Sequence, residues 1–321
     1  MSTAVTQPGT ERQTKAPGWS GADAAFRLLT LVCGAVILVV MAGILFELVR
    51  HSQLAMARLG WRFLVSQEWN PVTGEFGAAG TVFGTLVSTA IAMFIALPLS
   101  LAVALFLVEM APPALSSIVG GALELLAAIP SIIYGMWGLF VFAPFMAERV
   151  QPALGRYLGF LPLFQGPPMG IGMLTAGFIL ALMILPFISA VTRDVFRMVP
   201  AVIKESAYGM GATTWEVTRR VTIRYGLRGI VGAAFLGLGR AIGETMAVTF
   251  VIGNEHRIAA SLFAPGNSIA STLANEFAEA SEPLYLSALV ELGLVLFAIT
   301  VIVQLAAQAW LARAQRSVGR L

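Results

Sequence analysis

Gly229-Ile-Val-Gly-Ala-Ala-Phe-Leu-Gly-Leu-Gly-Arg240-Ala-Ile-Gly-Glu244-Thr-Met-Ala-Val-Thr-Phe-Val-Ile252 is apolar enough to cross a bilayer, yet it carries an Arg and a Glu. At ~1.5 Å per residue, about 20 residues span the roughly 30 Å of hydrocarbon. A charge at the bilayer centre costs roughly 2.5–3.5 kcal/mol on insertion scales. Two such charges in one segment point to a protein-facing or water-filled surface, and hence to transport.

Working outward, the chain holds five more stretches of this kind besides Ile230–Ile252. They are roughly Phe26–Val49, Val82–Val108, Ile118–Phe142, Ile171–Val191 and Leu284–Trp310. Hydrophobic residues make up 58% and charged residues 12% of the 321, against about 25% charged in soluble domains. The stretches are too long and too rich in Leu, Ala and Gly for barrel strands, which show ~10-residue alternation. The fold class expected is an all-α integral membrane protein with six spanning helices. Ala55-Met56-Ala57 resembles a cleavage site, but the apolar run before it exceeds the ~7–15 residues of a signal peptide. An uncleaved first helix is expected.

Lys and Arg set the orientation. With both termini cytoplasmic, the inside segments hold thirteen: Arg12, Lys15 and Arg27, seven from Arg193 to Arg228, and Arg313, Arg316 and Arg320. The outside loops hold six, Arg50, Arg58, Arg62, Arg149, Arg156 and Arg257. The bias fits the positive-inside rule. The net charge of +3 therefore reports topology, and no nucleic-acid partner is expected. Cys33 is the one cysteine, so a disulfide or thiolate metal site within the chain is excluded. Neither lysine, Lys15 or Lys204, sits in a Gly-Lys-Ser/Thr phosphate loop. His-Glu-x-x-His and Gly-x-Ser-x-Gly are also missing. The chain is read as a non-enzyme without cofactor or metal of its own.

Residues 1–25 are read as a disordered cytoplasmic tail, 26–80 as the first helix and an outside loop, 81–310 as the transport core, and 311–321 as a second cytoplasmic tail. Within the core, residues 192–229 form the sizeable inside segment, with apolar positions at helical spacing around Gly211. Outside loops at 50–80, 143–170 and 253–283 are long enough to receive an extracytoplasmic partner or simply to cap the bundle. An amphipathic helix is expected around Thr272–Ala280. Pro98, Pro130 and Pro186 are expected to kink their helices. Glu124 and Glu291 are read as snorkelling or vestibule groups, and Tyr134 and Trp137 as packing or interfacial aromatics.

Glu205-Ser206-Ala207, three residues, Gly211, nine residues and Val221-Thr222-Ile223 resemble the EAA loop of ABC importer permeases, Glu-Ala-Ala-x3-Gly-x9-Ile-x-Leu-Pro. The resemblance implies cytoplasmic coupling helices that dock on a separate ATPase. A Glu near a helix start suits the positive dipole end, small residues allow close approach, and the Gly allows a turn. Ser206 and Arg224 depart from the pattern, the second where Pro is usual.

Four further runs narrow the likeness: Glu124-Leu-Leu-Ala-Ala-Ile-Pro130-Ser-Ile-Ile-Tyr134-Gly-Met-Trp137-Gly-Leu-Phe140, Lys204-Glu-Ser-Ala-Tyr-Gly209, Gly239-Arg-Ala-Ile-Gly-Glu-Thr-Met-Ala-Val248 and Leu273-Ala-Asn-Glu-Phe-Ala-Glu-Ala280. They resemble the C-type permeases of phosphate-specific (Pst) importers, over about residues 80–310. The resemblance implies a type I six-helix ABC importer bundle in the bacterial inner membrane. It also implies a homologous A-type permease, an ATPase dimer that binds ATP and Mg, and an extracytoplasmic phosphate-binding protein.

At ~100° per residue, Gly229, Ala233, Gly237, Arg240, Glu244, Ala247 and Val251 fall on one helical stripe. Its small residues allow a neighbouring helix to approach. Arg presents a planar fork to oxyanions, and Glu can accept the proton of a phosphate hydroxyl, which sulfate lacks at neutral pH. Arg240 is thus expected to line the phosphate path and Glu244 to position the anion. The competing reading is a static or gating intrahelical ion pair. Permeases for sulfate or molybdate, and a self-contained anion channel, are the alternative functions.

Overall fold

The computed structural model describes residues 21–318, and most of the tail expected at 1–25 lies outside that range. The chain falls into two compact units, Met1–Glu47 and Leu48–Leu321. α1 (Gly21–Leu59) begins within the expected tail and continues from the first unit into the second. Its apolar residues in the first unit, Phe26 to Phe46, are exposed, as a lipid-facing helix requires.

The second unit holds α2 (Arg62–Val65), α3 (Ala79–Met110), α4 (Pro113–Ala128), α5 (Ser131–Leu158) and α6 (Met173–Arg197). It continues with α7 (Ala201–Gly209), α8 (Thr214–Ile242), α9 (Met246–Thr249), α10 (Ile269–Glu276) and α11 (Pro283–Val318). α1, α3, α5, α6, α8 and α11 are long and apolar enough to cross a membrane, six as expected, although the third and fifth have other bounds and α5 runs to Leu158 into the loop expected at 143–170. Helix α11 runs on through residues 311–318, which were expected as a tail.

The centre of the bundle is α6 packed on α3. α3 turns a stripe of small residues inward, Gly80, Gly84, Ser88, Ala92, Ala96, Ser100 and Ala104, spaced four apart. With no hydrophobic drive between helices in lipid, close backbone approach supplies dispersion contact instead. Ile179, Met183, Ile184 and Ile188 of α6 fill the core, which Ala233 and Ala241 of α8 join. Both α3 and α6 continue through their prolines, Pro98 and Pro186. The Ser100 hydroxyl donates to the Leu185 carbonyl at 3.0 Å.

Two helices expected to be continuous are broken. The third expected stretch, Ile118–Phe142, divides at Ile129 and Pro130, where both residues are extended, so the span long enough to cross starts at Ser131. Pro130 has no N–H to give and disfavours αR in Ile129 before it. The fifth stretch, Ile230–Ile252, divides after Ile242, as described below.

The segment from Gly253 to Glu282, expected outside, folds back onto the bundle. A Cβ on Gly80 or Gly84 would run into the carbonyls of His256 and Asn267. Met173 and Leu174 at the start of α6 donate their N–H groups to the Ala264 and Leu262 carbonyls at 3.3 and 2.9 Å. Backbone groups left over at a helix start are thus satisfied by a buried loop. The helix expected at Thr272–Ala280 lies earlier, at Ile269–Glu276, because Ser268 caps it through the Ser271 N–H at 3.1 Å.

Candidate functional site

Arg240 and Glu244 do not share a helix. α8 ends at Ile242, Gly243 and Glu244 close its last turn through weak bonds to Gly239 and Ala241 at 3.3 and 3.4 Å, and α9 starts at Met246. Gly243 lowers the barrier to leaving the helix, and Thr245, at the N-cap of α9, makes no side-chain cap bond. The Glu244 carboxylate accepts the Ala247 N–H at 3.4 Å. The expected stripe is therefore interrupted. Gly229, Ala233 and Gly237 pack on α6 against residues such as Val195 and Ile188, while Arg240 is exposed and Glu244 half-buried. Among the described residues the two form no ion pair, so the intrahelical pair is absent.

The second broken helix meets the first. Gly135 of α5 lies against Met246, Ala247 and Phe250, close enough that a Cβ there would press on the Ala247 backbone. Tyr134 next to it donates its hydroxyl to the Leu126 carbonyl at 2.9 Å, spanning the Pro130 break. Arg240 occupies the last turn of α8, where the helix dipole favours a cation. The result is an exposed guanidinium, without an ion pair among the described residues, next to the Gly243 interruption, whose following helix packs on the one that starts after Pro130. Interrupted helices are a usual setting for ion and substrate sites within membranes. Trp137 stacks on Phe142 at 5.6 Å and is a packing residue.

In the segment expected to face the cytoplasm, α7 and the start of α8 form a helical hairpin. Gly211, at φ +86°, takes the left-handed conformation that closes α7. Its N–H bonds the Tyr208 carbonyl at 2.9 Å and that of Ala212 bonds Ala207 at 3.1 Å, the paired bonds of a Schellman cap. Thr213 and Glu216 then form a capping box for α8. Glu205 is exposed in the middle of α7, which starts at Ala201, so the expected dipole role at the helix start does not apply. Ser206 is exposed and bonds Val202 within its own helix at 2.7 Å, whereas Ala207 is buried. Around them Val202, Met210 and Trp215 are 70%, 83% and 65% exposed, an apolar face of the kind that marks protein contacts.

Sequence reasoning missed three polar junctions. Glu109, at the end of α3, accepts from Lys204 of α7 at 2.6 Å and from Thr222 of α8 at 2.8 Å. Arg193 of α6, assigned above to the cytoplasmic loop, is buried and bonded to Glu124 of α4 at 2.6 Å. Outside, the Glu276 carboxylate accepts from the Trp69 indole at 2.5 Å and the Tyr285 hydroxyl at 2.7 Å. Burial raises the Glu276 pKa, partly offset by these bonds, and burial lowers that of His256, whose ring lies 3.7 Å from it. Glu291 is buried in α11, with Oε2 lacking a hydrogen-bond partner. Among the described residues no three His, Cys, Asp or Glu side chains cluster as a metal site.

The family of binding-protein-dependent transport system inner membrane components matches residues 78–317. The phosphate transport system permease protein PstC of Mesorhizobium japonicum is 52% identical over 301 residues, covering 92% of each chain. That of Pasteurella multocida is 50% identical over 299 residues, 92% of this chain and 93% of its own. This chain belongs to the PstC permease family. Among solved structures, a bacterial ABC transporter involved in the import of alginate matches with a TM-score of 0.61 at 15% identity, over 92% of this chain and 98% of its own. That likeness shows the fold of an ABC importer permease. The transport-component match begins at the foot of α3, so α1 is an addition to the matched core, whereas the PstC likeness extends over most of the chain.

Proposed function

We propose that this chain is the permease subunit through which an ATP-driven importer admits inorganic phosphate, with Arg240 on the route. The observation that carries the reading is the exposed Arg240 guanidinium, without an ion pair among the described residues, next to the interruption at Gly243. A planar fork offers two parallel hydrogen bonds to a tetrahedral oxyanion. An exposed face at membrane depth calls for a partner, and a homologous A-type permease would complete the path. Glu244, anchored by the Ala247 N–H, stands close enough in sequence to favour an anion that still bears a proton. The apolar face around Met210 and Trp215 suits docking on an ATPase dimer, which would hold ATP and Mg and drive alternating access. A phosphate-binding protein would deliver the anion outside.

The test is radiolabelled phosphate uptake in cells lacking other phosphate importers, with membrane level and sulfate uptake followed together. Arg240→Gln is expected to abolish phosphate uptake at normal membrane level, and Arg240→Lys to retain a fraction of it. Wild-type uptake by Arg240→Gln would overturn the role of Arg240. A wild type that moves sulfate or molybdate and not phosphate would replace the substrate.

A further inference from the structure

A cavity of about 550 Å³ opens between the cytoplasmic ends of α3, α4 and α6, and Ser116, Ser117, Glu124, Arg193 and Arg197 supply its polar groups. Arg193 is its most unusual member. Its side chain is 7% exposed, yet its counter-ions, Glu124 at 2.6 Å and Asp194 at 3.7 Å, are 62% and 67% exposed. Nη2 bonds Glu124 Oε1 at 2.6 Å, but Nε is buried without a hydrogen-bond partner, Asp194 Oδ1 lying 3.7 Å away. A buried guanidinium with unused N–H capacity is costly unless something completes it. Gly120 leaves the space for Nη1 that any side chain would fill. Arg197, one turn further along α6, adds a second cation to the lining, and Ser116 and Ser117 from the first turns of α4 add two hydroxyls.

We infer that this cavity is a cytoplasmic release site for the translocated oxyanion, an assignment that rests on the phosphate reading above. Arg193 and Arg197 receive the anion as it leaves Arg240, and Ser116 and Ser117 donate to its oxygens. Glu124 is the competing ligand. Its carboxylate, free to swing because it is exposed, returns to Arg193 and displaces the anion into the cytoplasm. The two arginines are opposed by two carboxylates, Glu124 and the exposed Asp194 3.7 Å from Arg193 Nε, so the site binds weakly enough to empty, which an importer requires at its inner end. The same chemistry would accept the phosphate of a lipid headgroup.

The experiment is equilibrium binding of radiolabelled inorganic phosphate to the intact, nucleotide-free importer in nanodiscs, without its binding protein. Each variant is measured in zwitterionic and in anionic lipid. Glu124→Gln is expected to tighten phosphate binding about tenfold, the worth of one charge-assisted hydrogen bond. Arg193→Gln and the solvent-exposed Arg197→Gln are expected to weaken it by a similar factor, and the site is expected to survive Arg240→Gln. Should Arg193→Gln fail to assemble, Glu124→Gln and Arg197→Gln carry the test. Binding unchanged by Glu124→Gln and Arg197→Gln in an importer that does move phosphate overturns the release site and leaves the permease function standing. An effect confined to anionic lipid assigns the cavity to a lipid headgroup and overturns it as a substrate site. A wild type that imports no phosphate overturns the underlying reading instead.

Discussion

Gly211 ends α7 with φ +86°, in open space where a Cβ would meet nothing within 4 Å. The position therefore demands backbone conformation and not closeness. An L-residue with a Cβ there costs about 1–2 kcal/mol, least for Asn, whose side chain tolerates the left-handed region. Gly211→Ala is expected to lower phosphate transported per ATP in the reconstituted importer, with Gly211→Asn recovering most of it. Equal loss in both would place the role of Gly211 in partner contact. Gly in this position was legible from the sequence as a turn. That Glu205 lies in mid-helix was not, because α7 starts at Ala201, just after Pro200, and no side chain caps it.

Helix interruptions and π-helical turns do much to define this bundle. Glu109 and Thr222 each sit in a π-helical turn, Phe106–Met110 of α3 and Thr218–Thr222 of α8. The extra residue in such a turn shifts side-chain directions along a helix, and these turns recur at functional sites. Here they bring Thr222 and the α7 residue Lys204 onto one buried carboxylate oxygen. The hairpin is thereby bonded to the end of α3, at the centre of the bundle. Glu109→Ala should remove about 2 kcal/mol of charge-assisted bonding. The expected outcome is ATP hydrolysis that continues while phosphate uptake falls several-fold at unchanged membrane level. Hydrolysis and uptake falling in parallel would mean that Glu109 serves assembly alone.

Six spans with Lys and Arg concentrated on one side predict the membrane topology. The hairpin of α7 and α8 and the end of α11 should lie on the same, cytoplasmic, face. Reporter fusions after Met210 and near Val318 are expected to give fluorescence with a cytoplasmic protein and no activity with an alkaline phosphatase. The reverse pattern at either point would invert the model of coupling. The outside segment 253–282 should then be accessible from the periplasmic face only where it does not press on Gly80 and Gly84 of α3.

Long apolar runs, their basic flanks and the spacing of Glu205, Gly211 and Val221 determined the membrane class, the six spans and the permease family, because hydrophobic length and turn chemistry are local properties. The sequence also marked Arg240 as anomalous. What the residues around it do was decided by tertiary structure. Gly243 lies in a run otherwise apolar enough to be read as one helix, and only packing of α9 on α5 makes the break worthwhile. The partners of Arg193, Glu109 and Glu276 lie 69, 95 and 207 positions away at Glu124, Lys204 and Trp69. Such pairings carry no local period or spacing. They follow from which helices lie side by side, since a buried charge must find its counterpart in three dimensions.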